Sequence, residues 1–181
     1  MQENTHKMAK NMTSFLETER LFACIPKPDD LDNYIDMFSN KEFVACYGVA
    51  YDRDKVALRL QDDINHWNKN GFSPWMWFNK SNHAYVGRGG LKSFTLDQKS
   101  EVELTYQIRQ EYWGQGIAGE IGLASINYAF KELNLESIIC FTAENNHQSL
   151  RVMEKLGFIY EKDFVHADII HKLYRMRNFN R

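Results

Sequence analysis

The segment from Glu101 to Thr142 limits the fold more than any other part of the chain. "EVELTYQI" puts Val102, Leu104, Tyr106 and Ile108 on one side and Glu101, Glu103, Thr105 and Gln107 on the other, the period of a β-strand. The glycines of "WGQGIAGE" come next and open the stretch Ile117 to Leu133. There Glu120, Asn127, Lys131 and Asn134 fall on one narrow helical stripe and nearly everything else is apolar or small, so the spacing predicts a mostly buried helix. "SIICFT" is then a continuous apolar run, as in a strand covered on both faces. Strand, buried helix and buried strand in that order imply a right-handed βαβ crossover.

The flanking sequence adds antiparallel strands. "ERLFACIP" reads as a strand that stops at Pro26, and Asp29, Asp30 and Asp32 sit where a helix begins and its dipole favours acids. A second helix runs from about Asp54, with Val56, Leu60, Ile64 and Trp67 inward and Gly71 as its stop. Its other face, with Asp62, Asp63 and Lys69, is expected to be solvated. "SPWMWFN", "AYVGRGGLKSF" and "EVELTYQI" form a meander, and a helix from Gln148 to Leu156, ended by Gly157, precedes the strands "GFIYEKDF" and "IIHKLYRMR". The expected fold class is therefore mixed α/β (α+β). At 181 residues and 44% hydrophobic content the chain can bury one sizeable core. We expect a flexible N-terminus over 1–14 and a single domain over 15–178.

Several function classes are set aside at this level. A net charge of −2 provides no broad cationic surface, so no nucleic acid partner is expected. Cys24, Cys46 and Cys140 stand far apart without a C-x-x-C pair, which suits reduced core thiols. "MQENTHKMAKNMTS" has no apolar leader core, and no apolar run is long enough to span a membrane, so a soluble cytoplasmic protein with no membrane partner is expected. His66, His83, His166 and His171 show no ligand spacing, and no metal is expected.

Gly114, Gly116 and Gly119 spell G-x-G-x-x-G, the dinucleotide fingerprint. That fold needs its first glycine tight against the strand end and further βα units beyond it. Here "RQEYW" intervenes and too little chain follows; no Lys-Ser or Lys-Thr pair makes a P-loop either. What survives is a helix start made of small residues, where backbone N–H groups and the helix dipole favour an anion such as a pyrophosphate. Taken alone, the loop reads equally well as a tight turn.

Three stretches together carry a resemblance: "LETERL" (Leu16 to Leu21), "ELTYQIRQEYWGQGIAGE" (Glu103 to Glu120) and "NNHQSLRVMEKLGF" (Asn145 to Phe158). The chain resembles the GNAT acetyltransferases, and among them the ribosomal-protein N-terminal acetyltransferases, over roughly residues 16 to 176. The resemblance implies a GNAT-like, mostly antiparallel sheet with helices on both faces and a central βαβ CoA-binding unit. It implies acetyl-CoA as co-substrate, with Trp113, Gly114, Gln115, Gly116, Ile117, Ala118 and Gly119 around its pyrophosphate. The backbone near Ile108 and the side chain of Asn146 would meet the pantetheine arm, in a splay between "EVELTYQI" and "SIICFT". Trp113 stands where the general pattern has Gln or Arg, although W-G-x-G is usual in the subfamily.

The resemblance also gives Glu103 the role of base and sets Ser149 near the departing thiolate. By alternation alone the Glu103 face is simply wet, and by spacing alone Asn146 is an N-cap and Ser149 an ordinary first-turn residue. Many GNAT enzymes use a tyrosine acid where this chain has Met153, which cannot donate a proton. Tyr106 and Tyr112 read as packed phenols, Cys140 as an inert core thiol, and His147 as an exposed neighbour of a helix cap. Trp67, Phe72, Trp75, Trp77 and Phe78 read mostly as core. Deprotonation at pH 7 costs about 4–5 kcal/mol for a lysine-like amine and about 1 for an α-amine, so a carboxylate base of ordinary pKa suits an N-terminus. The expected activity is acetyl transfer to a primary amine, first a protein or peptide N-terminus, by a monomer or homodimer. The alternatives are a small-amine acetyltransferase (polyamine, amino acid or aminoglycoside) and a silent CoA-binding module.

Overall fold

The computed structural model describes residues 14–38 and 52–178. The expected flexible N-terminus falls almost wholly outside them, as does Cys46. The apolar runs become strands β1 (Leu16–Glu17), β2 (Leu21–Cys24), β3 (Pro74–Asn79), β4 (Tyr85–Leu96), β5 (Lys99–Ile108), β6 (Ser137–Ala143), β7 (Ile159–His166) and β8 (Ile169–Arg177). The helices are α1 (Leu31–Phe38), α2 (Arg53–Asn70), α3 (Ile117–Asn127) and α4 (His147–Leu156). The strands make one sheet in the order β1-β2-β3-β4-β5-β6-β8-β7. Every neighbouring pair is antiparallel except β5 and β6, the two strands of the βαβ unit.

Local chemistry sets the helix ends. Asp52 caps α2 by accepting the Lys55 N–H at 2.8 Å, and Gly71 closes it with φ 74° and its N–H on the Trp67 carbonyl at 2.8 Å. Gly157 ends α4 in the same left-handed conformation, φ 92°. The long helix expected to Leu133 instead stops at Asn127 and continues as one π-turn over Tyr128–Glu132. It is also less enclosed than expected, since Leu123 is 56% exposed.

Alternation along the strands divides the core by face. Phe22, Cys24, Met76 and Phe78 pack with Tyr34 and Met37 of α1 and Val56 and Leu60 of α2. Leu21, Ala23, Trp75 and Trp77 pack with Ile117 and Ile121 of α3 on the opposite face. The aromatic run thus serves the core as read, with Trp75 and Trp77 fully buried.

One expectation about α2 is overturned. Asp63 is not solvated: it is fully buried and pairs with an equally buried arginine, Arg88 of β4. Its spacing, seven residues after Val56 and three after Leu60, puts it on the inward face of the helix, although nothing in that spacing names its partner.

The sheet has one gap. β4 and β5 pair along a ladder from Gly87↔Ile108 to Leu96↔Lys99, whereas β5 and β6 share the single pair Glu103↔Ile139. β6 is held through β8 instead, from Ser137↔Arg177 to Ala143↔His171. Beyond Glu103 and Ile139 the two parallel strands part.

Candidate active site

Two left-handed glycines shape the loop that follows β5. Gly114 (φ 73°) and Gly116 (φ 77°) let the chain double back and start α3, with Gly116 in the cap position and no side chain accepting from the first turn. The N–H groups at the start of α3 are left for a ligand. A Cβ built on Gly114 or Gly119 would meet nothing within 4 Å. Trp113 ties the loop to the strand by donating its indole N–H to the Ile108 carbonyl at 2.7 Å.

A clamp from the N-terminal motif holds this loop from behind. Thr18 donates its hydroxyl to Glu120 Oε1 at 2.5 Å, and Arg20 reaches the same carboxylate through its backbone N–H (2.9 Å) and Nε (2.7 Å). Arg20 also donates to the Gln115 carbonyl at 2.9 Å. "LETERL" and "WGQGIAGE", far apart in sequence, are one structural unit.

Between the loop, the end of β5 and α4 lies a cavity of about 540 Å³. Of the residues named from the sequence, Ile108, Trp113, Gly114, Gly116, Ile117, Ala118, Gly119, Asn146 and Ser149 line it. Gln115 does not; its amide turns back to the Glu111 carbonyl at 2.7 Å. His147 is exposed and lies outside the cavity wall. Gln148, Arg151, Val152, Lys155 and Leu156 complete the α4 wall and were not singled out from the sequence. Their signal was available as i, i+3 and i+4 spacing from the helix start. An uncapped helix start, open space at two glycines, an apolar floor and two cationic side chains fit the anionic head and slender arm of CoA.

At the inner end, Asn146 caps α4 by accepting the Ser149 N–H at 3.2 Å, and the Ser149 hydroxyl lies 2.9 Å from the Tyr106 hydroxyl. Asn146 thus caps α4 and also lines the cavity. Tyr106 is more than a packed phenol, because it shares a hydrogen bond with the serine and lines the same wall. Tyr112 likewise lines the cavity. Met153 is fully buried in the core. The Cys140 thiol is buried, and burial pushes its pKa well above the usual thiol range.

Glu103 lies on the opposite face of β5 from Tyr106 and Ile108, at the last pair before the gap opens. That face is not simply wet. Arg88 donates to both Asp63 carboxylate oxygens at 2.9 Å and to the Gln107 side chain, and Tyr34 donates to Asp63 at 2.8 Å. Lys92, paired with Glu103 across the β4–β5 ladder, binds Asp62 and Asp63. Burial would raise the Asp63 pKa, but Arg88 and Lys92 outweigh it and hold the carboxyl below its ordinary range. Glu103 makes no hydrogen bond among the described residues. Burial pushes its pKa up to about 7, against the opposing fields of Arg59, Arg88 and Lys92. The expectation of an ordinary carboxylate is thereby corrected. No group of three or more His, Cys, Asp or Glu side chains among the described residues is placed to hold a metal, and no described helix is long and apolar enough to cross a membrane.

Comparison with known proteins gives the same outline. YkkB of Bacillus subtilis strain 168, an uncharacterised protein, is 23% identical over 94% of this chain and 99% of its own. The spermidine N(1)-acetyltransferase of Escherichia coli K12 is 31% identical over 74 residues, 41% of this chain and 40% of its own. The structure of the ribosomal-protein-S5-alanine acetyltransferase from Vibrio fischeri superposes with a TM-score of 0.74 at 21% identity, covering 93% of this chain and 98% of the other. The acetyltransferase (GNAT) domain family matches residues 20–159, and with that match the chain is a member of the GNAT acetyltransferases, an acyltransferase of the kind that uses acetyl-CoA.

Proposed function

We propose that the protein transfers acetyl from acetyl-CoA directly to the α-amine of a protein or peptide N-terminus. The observation that carries this is the place of Glu103: at the root of the β5–β6 gap, on the face opposite the cavity, with its pKa brought up to about 7. Bound in the cavity, acetyl-CoA supplies an activated acyl carbon and a thiol leaving group. The amine comes from the α1–α2 face, and the Glu103 carboxylate takes its proton, directly or through one water, as the C–N bond forms. A base of pKa about 7 matches an α-ammonium of about 7.7–8.0 closely, and still falls more than three units short of a lysine-like ammonium. The Ser149 hydroxyl, hydrogen-bonded to Tyr106, gives a proton to the sulfur as the C–S bond breaks. With Cys140 buried and neutral, the transfer needs no acyl-enzyme.

The Vibrio fischeri neighbour is named for a ribosomal-protein alanine and the locally matching enzyme for spermidine, so a protein acceptor and a small amine are tested side by side. The same reading has residues 15–178 acting as one domain in the cytoplasm, as monomer or homodimer. The test is thiol release at pH 7 with an unblocked peptide, an N-terminally blocked lysine peptide and a polyamine. The unblocked peptide is expected to be turned over fastest; the polyamine or the lysine in first place removes the N-terminal assignment.

Ser149→Ala is expected to lower turnover by about 10²–10⁴-fold, the usual loss for a positioned acid, with little change in acetyl-CoA affinity. Tyr106→Phe, which removes only the partner hydroxyl, should fall between that variant and the parent. Small and equal effects of Ser149→Ala on binding and turnover would leave Ser149 as a helix residue only.

A further inference from the structure

We infer that Arg59 makes the acceptor site selective for amines that also carry a carboxylate, and so for N-termini with an acidic first or second residue. The inference rests on the reading that the acceptor amine meets Glu103. Arg59 lies on α2 one turn before Asp63 and three residues after Val56, on the face turned toward β4 and β5. Among the described residues, the other two cations acting on Glu103 are committed. Arg88 is spent on Asp63 and Gln107, and Lys92 on Asp62 and Asp63.

Arg59 differs from them. Its Nε is buried and has no hydrogen-bond partner among the described residues. Buried donors in native proteins are nearly always satisfied, so an unsatisfied one beside a proposed site points to something that arrives with the substrate. Arg59 is also close enough to act electrostatically on both Glu103 and Asp63, and among the cations around Glu103 its field is the strongest.

The site therefore presents a carboxylate for the ammonium and, next to it, a guanidinium whose Nε is unpaired among the described residues. An acceptor that fills both bears a positive amine and a negative group a few bonds apart. Guanidinium pairs with carboxylate in a planar two-bond geometry, which makes Arg the residue suited to this recognition. A polyamine has the wrong charge for the second position, since its further ammonium groups would face Arg59. The same chemistry could come from a free amino acid, and the experiment separates the two sources.

The experiment measures kcat and KM for three peptides that differ only in their second residue (Asp, Ala or Lys), with free glutamate and spermidine alongside. In the parent protein the Asp peptide should exceed the Lys peptide by at least about tenfold in kcat/KM, as a charge-assisted hydrogen bond warrants. Arg59→Gln should flatten the series through peptide KM while leaving the acetyl-CoA KM unchanged. Arg59→Lys should keep part of the preference, and Arg59→Glu should invert it. A flat series in the parent, or an undiminished preference in Arg59→Gln, overturns the inference while leaving N-terminal acetylation intact. Turnover of spermidine with no peptide turned over removes both. Free glutamate outrunning the acidic peptide keeps the role of Arg59 and removes the peptide acceptor.

Discussion

Gly119→Glu is expected to abolish measurable CoA binding in a protein that melts at the parent temperature or above it. Gly119 is the third residue of α3, in ordinary helical backbone, and a Cβ there would meet nothing within 4 Å. Replacing glycine in a helix recovers up to about 1 kcal/mol, and an acid in the first turn adds about 0.3–1 kcal/mol through the helix dipole. The fold therefore gains from the change. The site loses, because the new side chain projects into the cavity that Gly119 lines and carries the same charge as the diphosphate. Two like charges 4 Å apart at an effective dielectric of 20 repel by about 4 kcal/mol, about a thousandfold in affinity. Gly116 is a poorer choice, since any side chain at φ 77° strains the loop and would confuse misfolding with lost binding. Calorimetric titration with CoA, beside a melting curve, makes the measurement, and Gly119→Gln separates size from charge. Binding at parent affinity would place the diphosphate elsewhere.

What could be read from the sequence was what periodicity and local punctuation encode. The alternation of "EVELTYQI", the apolar "SIICFT" and the stops at Gly71 and Gly157 each depend on neighbours within a turn or a strand, and each reappears in the structure. Most of the cavity wall was legible for the same reason, because its glycines and the Asn146 to Ser149 cap are short-range motifs. The charged floor beneath Glu103 was not. Asp63 and Arg88 come from different elements, and nothing local announces that α2 lays one on the other. The Tyr106 hydroxyl finds Ser149 only once α4 packs beside β5, and the Glu120 clamp joins residues 102 positions apart in the chain. Desolvation of Glu103 is likewise a product of packing. Polar residues on an alternating strand look wet until something is known to cover them.

That desolvation ties rate and stability to one carboxyl. With saturating N-terminal peptide, the parent's turnover should rise across pH 7 as Glu103 ionises, well above the range of an ordinary carboxylate. Glu103→Gln should lose about 10²–10³-fold at pH 7.5, and its remaining rate should follow only the deprotonation of the amine, with a limb nearer 8. The same substitution should have the opposite effect on stability. Because the folded-state pKa, about 7, lies above the ordinary glutamate value of 4.5, the fold holds the Glu103 proton more tightly than the unfolded chain does. Its contribution is fully present below about pH 4.5 and is lost as pH rises through 7, where the folded protein must carry a poorly solvated charge. The displacement corresponds to about 3 kcal/mol at most, less in practice because Glu103 keeps some contact with solvent. A neutral glutamine escapes this loss, so Glu103→Gln should gain stability over the parent between pH 5 and pH 8 while its activity collapses. Melting curves at the two pH values, paired with the rate profiles, decide the matter. Parent and variant melting with a constant difference at both pH values would mean that Glu103 is well solvated. An unshifted rate limb in the variant would mean that the proton leaves the amine by a route that does not include it.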